Sequence, residues 1–166
     1  MTEPTNRRPL IASSVLLGIG LGGFVDGIVF HQILQWHNML SGWRPPTDLV
    51  SVEVNMFWDG LFHALTWTMT ALGLAMLWSA VRRPEVPLST RTFVGSMFVG
   101  WGLFNLVEGV IDHHILGVHH VVEGAGHPWY DLAFLASGVI FLAGGSAAIH
   151  SGRNDPASGR TPAPTA

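Results

Sequence analysis

The sequence predicts an all-α protein, a four-transmembrane-helix bundle built from two pseudo-symmetric helical hairpins. Of its 166 residues, 48% are hydrophobic and 11% charged, against about 25% charged in an ordinary soluble domain. Four apolar stretches, at about 10–36, 56–81, 92–118 and 130–150, each reach the roughly 20 helical residues that cross a hydrocarbon core. Finally, Asp-Gly-Ile-Val-Phe-His-Gln-Ile-Leu-Gln-Trp-His (26–37) in the first stretch returns as Glu-Gly-Val-Ile-Asp-His-His-Ile-Leu-Gly-Val-His (108–119) in the third.

Helix 1 follows Arg7 and Arg8. Its basic start and apolar middle have the form of a secretory signal, but the run continues through Asp26 and His31 and is matched internally by 97–122, so it reads as an uncleaved helix. Helix 2 carries Asp59 and His63; helix 3 begins after Arg91; helix 4 opens at Asp131. Arg82, Arg83 and Arg91 mark the middle loop and Arg153 and Arg160 the C-terminal segment, while the other two loops hold only Arg44. The positive-inside rule then predicts both termini and the middle loop on the cytoplasmic side. The organisation is a cytoplasmic segment (1–9), a membrane domain (10–150), and a tail (151–166) whose Pro, Ser, Thr and Gly content predicts disorder. Trp36, Trp43, Trp58, Trp129 and Tyr130 form an aromatic belt where the helices leave the outer side, and Trp78 does so on the inner side.

The chain has no cysteine, which excludes disulfides, thiolate metal sites and iron–sulfur clusters. It has no lysine, and a net charge of -3 without a basic block argues against nucleic acid as a partner.

Counting 1.5 Å per residue from the inner arginines places Asp26 and Glu108 about 22–24 Å up and His31 and His113 about 30 Å up. Asp59 and Asp131 fall at the outer boundary, with His63 roughly 6 Å deeper than Asp59. Seven ionisable side chains from four helices thus share one slab. Charged groups at such depth are costly to bury and are read as a site. Carboxylate and imidazole suit a divalent ion when thiolates are absent. Asp26, His31, Glu108 and His113 are candidate ligands related by the repeat, Asp59 and His63 are a further pair at helical spacing, and Asp131 is a supporting or bridging carboxylate. Zinc, iron or copper are the candidate ions.

Two alternatives stay open: a network of interhelical hydrogen bonds without metal, and a bis-histidine haem between His31 and His113. One difficulty stands against a single ion. Asp26 and His31 are five residues apart, about 140° around an ideal α-helix, as are Glu108 and His113. Sharing an ion would require a kink, two ions, or a metal-free network. His37, His119, His120 and His127 fall beyond the outer boundary, near Asn38, Met39 and Met56. They form an outer-face group of secondary candidates, each solvated alone and together able to capture a metal ion or proton. Asp48, Asp112, Glu53 and Glu123 read as solvated or supporting groups, and no nucleophile or catalytic triad is recognisable.

Three blocks carry a family resemblance: Gly-Gly-Phe-Val-Asp-Gly-Ile-Val-Phe-His-Gln-Ile-Leu-Gln-Trp-His (22–37), Asp-Gly-Leu-Phe-His (59–63) and Phe-Asn-Leu-Val-Glu-Gly-Val-Ile-Asp-His-His-Ile-Leu-Gly-Val-His-His (104–120). Over roughly 10–150 the chain resembles a bacterial four-helix family of predicted membrane proteins of unknown function. The resemblance implies an integral inner-membrane bundle with no established activity or cofactor, loosely associated with respiratory oxidase assembly. The expected partners are membrane lipid, a second copy of the chain, or a respiratory membrane complex. A helper that moves metal or protons to such a complex is the non-enzymatic alternative to a metalloenzyme.

Overall fold

A computed structural model describes residues 5–124 and 128–155. Among these residues the protein is all helical, and four helices are long and apolar enough to cross a membrane. α1 (Arg8–Val25) starts with a proline in its first turn, where a missing N–H costs nothing. α2 (Leu49–Val81) begins earlier than its apolar run because Asp48 and Ser51 close a reciprocal capping box. α3 (Thr90–Glu108) is capped by the Ser89 hydroxyl, which accepts from Thr92 N–H. α4 spans Pro128–Ser151 and ends in a short 3-10 turn, Gly152–Asn154.

The packing order is α2–α1–α3–α4: α1 packs on α2 and α3, α3 packs on α4, and α2 and α4 do not touch. Burial agrees with this placement. Half of the apolar window of α1 is buried within the protein, against 17% for α2 and 11% for α4, so the outer pair gives most of its surface to lipid. At the α1–α3 crossing a Cβ on Gly18 would strike the Met97 carbonyl, and one on Gly100 would strike the Val15 carbonyl. Only glycine permits this backbone approach. Gly18 and Gly100 are the residues that the repeat aligns.

The main departure from an ideal bundle lies at the ends of α1 and α3. Each helix continues as a π-helix, Asp26–Ile33 after α1 and Gly109–Leu116 after α3. π-Helical turns are rare and are usually single bulges at functional sites; here each runs for 8 residues. Their i→i+5 bonding, as in Leu34 N–H to the Val29 carbonyl at 2.8 Å, puts residues five apart onto one face. This resolves the offset that an α-helix could not: Asp26 and His31 share a face and approach to 3.0 Å. Each π-segment then ends in a left-handed residue, Gln35 (φ 50) and Gly117 (φ 59), which turns the chain back over the bundle end.

At the opposite end, Arg7 donates to the carbonyls of Gly152 and Asp155, and Ser89 donates to Asp155 at 2.6 Å. The first residues of the expected tail, 152–155, are therefore packed against the starts of α1 and α3. Residues 156–166 lie outside the described residues.

Candidate metal centre

The left-handed turns at Gln35 and Gly117 bring the second histidine of each repeat back into the bundle. His37 is 2% exposed and His119 is fully buried, so neither lies in a solvated outer group as straight-helix extrapolation expects. The centre comprises Asp26, His31, His37, Glu108, His113 and His119, all buried. Neighbouring imidazole rings stand 4.4 Å (His31–His37), 4.6 Å (His37–His119) and 4.9 Å (His113–His119) apart between centroids.

Three of the four imidazoles are hydrogen-bonded from behind, and the fourth, His113, has a carboxylate nearby without a hydrogen bond. His31 Nδ1 donates to Asp59 Oδ1 at 2.9 Å, and His113 Nδ1 stands 3.4 Å from Asp131 Oδ1. His37 Nδ1 donates to the Val121 carbonyl at 2.9 Å, and His119 Nδ1 donates to the Met39 carbonyl at 3.1 Å. A carbonyl only accepts, so Nδ1 of His37 and of His119 carries a proton and the neutral ring presents the Nε2 lone pair inward. Burial, with His37 and His113 alongside, pushes His119 well below the ordinary histidine range, which keeps it neutral at pH 7. Anchoring the far nitrogen to a carboxylate or a carbonyl is how proteins aim metal-binding histidines.

The carboxylates behind the rings are themselves anchored. Asp59 accepts from Met39 N–H at 2.7 Å and from Asn38 Nδ2 at 2.8 Å. Asp131 accepts from Val121 N–H at 2.9 Å and from His120 Nδ1 at 2.7 Å. The 39–42 loop and the 117–121 loop are joined by Gly42 N–H to the Val118 carbonyl at 2.8 Å. Each loop holds the histidine of the other half and the aspartate of its own.

The inward-facing atoms have no such partners. Among the described residues, the buried side-chain polar atoms without a hydrogen bond are Ser96 Oγ, Asn105 Oδ1, and otherwise only atoms of these six residues. They include both oxygens of Asp26 and of Glu108, and Nε2 of all four histidines. Each unsatisfied polar atom costs about 1–3 kcal/mol, and more when charged. Asp26 Oδ2 lies 3.0 Å from His31 Nε2 and 3.9 Å from His37 Nε2, and Glu108 Oε1 lies 3.7 Å from His119 Nε2. Ligands at bond lengths of about 2.0–2.2 Å around one ion stand roughly 3 Å apart. Two triads have atoms close enough to hold an ion: His31, His37 and His119, and Glu108, His113 and His119.

The remaining sequence candidates are placed elsewhere. Asp59 and Asp131 stand behind His31 and His113 rather than in the centre. His63 Nδ1 donates to the Asp59 backbone carbonyl of its own helix at 2.7 Å, and its ring packs against Gly27. His120 remains half-exposed on Asp131. His127 lies outside the described residues. The signal for His37 and His119 was in the sequence: the repeat keeps both in register, and Gly117 marks the turn that returns them.

Residues 13–152 match the family described as predicted membrane protein (DUF2243). The chain belongs to this family. Every residue of the cluster and both aspartates behind it fall inside the DUF2243 region. No curated protein and no solved structure matches the chain.

Proposed function

We propose that this DUF2243 protein binds one or two divalent metal ions between its two central helices, with Asp26, His31, His37, Glu108, His113 and His119 as ligands and Asp59 and Asp131 orienting His31 and His113. The carrying observation is the convergence of six buried side chains in which, beyond the 3.0 Å contact of Asp26 Oδ2 with His31 Nε2, both Glu108 oxygens and Nε2 of His37, His113 and His119 have no hydrogen bond, while the far nitrogens of His31, His37 and His119 are bonded. A metal-free hydrogen-bond network predicts the opposite, because its members would satisfy one another. A bis-histidine haem needs two imidazoles facing across an open apolar slot, whereas these rings pack at 4.4 to 6.4 Å between centroids. With nitrogen and oxygen donors and no thiolate, zinc, iron and copper fit best. The two triads share His119, so the six side chains form one continuous cluster across both halves. By the arginine distribution, the termini face the cytoplasm of a bacterial cell and the centre lies near the outer face of its inner membrane.

Detergent-solubilised protein purified without chelator should contain about one or two equivalents of metal and show no Soret absorption. His37→Ala together with His119→Ala should remove the metal. Metal-free wild-type protein, or the double variant retaining a full complement, would overturn the proposal.

A further inference from the structure

Two cavities flank the centre at membrane depth, and they occupy corresponding places in the two halves. One lies between α1, α3 and α4, ends on Asp26, has a volume of about 170 Å³, and includes Trp101, Asn105 and Ser137 in its wall. The other lies between α1, α2 and α3, ends on Glu108, and has a volume of about 330 Å³. Its wall is apolar and partly aromatic, with Phe62, Phe104, Leu65, Leu103 and Val107. Leu65 is 54% exposed and Val107 56% exposed; both belong to membrane-spanning helices, so the cavity's rim faces lipid rather than water. Its inner end is a carboxylate that is 96% buried by exposure (4% exposed), with neither oxygen hydrogen-bonded.

An apolar chamber of this size with a few polar groups at one end, here the carboxylates of Glu108 and Asp112, is the usual form of a small-molecule site. The chemistry of the walls selects the occupant. Water gains nothing from Phe and Leu, and a plain acyl chain would leave the buried Glu108 oxygens without a donor. A molecule that enters from the bilayer, packs a ring against Phe62 and Phe104, and donates a hydroxyl hydrogen bond satisfies both ends. Phe62 is in turn stacked on His31 with centroids 5.4 Å apart, so the ring would lie one aromatic layer from the centre.

We propose that the Glu108 cavity is a lateral port for a lipid-soluble phenol or quinol, whose ring packs against Phe62 and Phe104 and whose hydroxyl donates to Glu108. The proposal rests on the metal reading in one respect: Glu108 would give one oxygen to the ion and keep the other for the hydroxyl.

The test is binding of radiolabelled 2-decylhydroquinone to the detergent-solubilised full chain, with metal content measured on the same samples. Saturable binding near one per chain is expected. Leu65→Trp, and separately Val107→Trp, change lipid-facing side chains on the rim and should weaken binding at least tenfold with metal content unchanged. Ser137→Trp fills the Asp26 cavity and should leave the affinity within twofold. Absence of saturable binding, wild-type affinity in both rim variants, loss of binding only in Ser137→Trp, or equal competition by decanol would each overturn the port. Metal-free wild-type protein that still binds the quinol, with the rim variants impaired, would overturn the metal reading while leaving the port in place.

Discussion

In the first half of the bundle His31 is bonded from behind by Asp59 at 2.9 Å, whereas in the second half His113 stands 3.4 Å from Asp131. The left-handed turn before the returning histidine is Gln35 in one half and Gly117 in the other. Asn38 braces Asp59, while His120 braces Asp131. The chamber beside Asp26 has Asn105 and Ser137 among the aromatic rings of Phe30, Trp101, Phe134 and Phe141; the one beside Glu108 is larger and lined mainly by Phe and Leu. What the halves hold in common faces the centre, and what they do not share faces outward. Access needs only one open side, so the second side is free to fill with polar packing such as the Asn105–Ser137 hydrogen bond.

The largest effect tests the shared part. Gly18→Leu and Gly100→Leu each drive a side chain into a backbone carbonyl of the facing helix. Overpacking typically costs about 1–3 kcal/mol and sometimes more, and neither carbonyl can move without its helix. Both variants should lower the melting temperature in detergent by a similar amount. A variant that melts like wild type would show that the crossing is not backbone-tight.

Unequal anchoring separates the halves. Loss of a carboxylate behind a metal-binding histidine commonly weakens metal affinity about 10–100-fold. Asp59→Asn should lie toward the upper end and Asp131→Asn toward the lower, because Asp59 holds its histidine at 2.9 Å whereas Asp131 stands 3.4 Å from its own. Competition with a chromophoric chelator measures both; equal losses would remove the asymmetry.

The smallest effect concerns the turns, where the signs should be opposite. A non-glycine residue in the left-handed region costs about 1–2 kcal/mol, and glycine gives back part of that through its chain entropy. Gln35→Gly should therefore leave stability unchanged or raise it by up to about 1 kcal/mol, and Gly117→Gln should lower it by about 1 kcal/mol. Unfolding in a mild denaturing detergent series would read both. A loss in Gln35→Gly would mean that the Gln35 side chain contributes more than its backbone costs.

The four spans were legible because hydropathy is a local property: each helix satisfies its own backbone, and lipid replaces the partner that a soluble helix would need. Asp26, His31, Glu108 and His113 were legible because an ionisable group in an apolar run is costly wherever the helix lies, and the repeat shows the same choice made twice. The depth count also brought Asp59 and Asp131 to the correct level, since rise along a helix accumulates predictably. It failed for His37 and His119, because the count assumes that the chain keeps its direction, and Gln35 and Gly117 reverse it.

By itself, then, the sequence determined which residues the membrane segments must bury and that they come in two related sets. Only the tertiary structure decided their roles. The i→i+5 winding that aligns Asp26 with His31, the return of His37 and His119, the exchange of Met39 and Val121 carbonyls between halves, and the two unlike chambers all depend on contacts between segments far apart in sequence. Local propensity favours an α-helix through 26–33 and 109–116. The wider winding persists there because its cost is met by bonds from other helices and loops, and those bonds exist only once the bundle has closed.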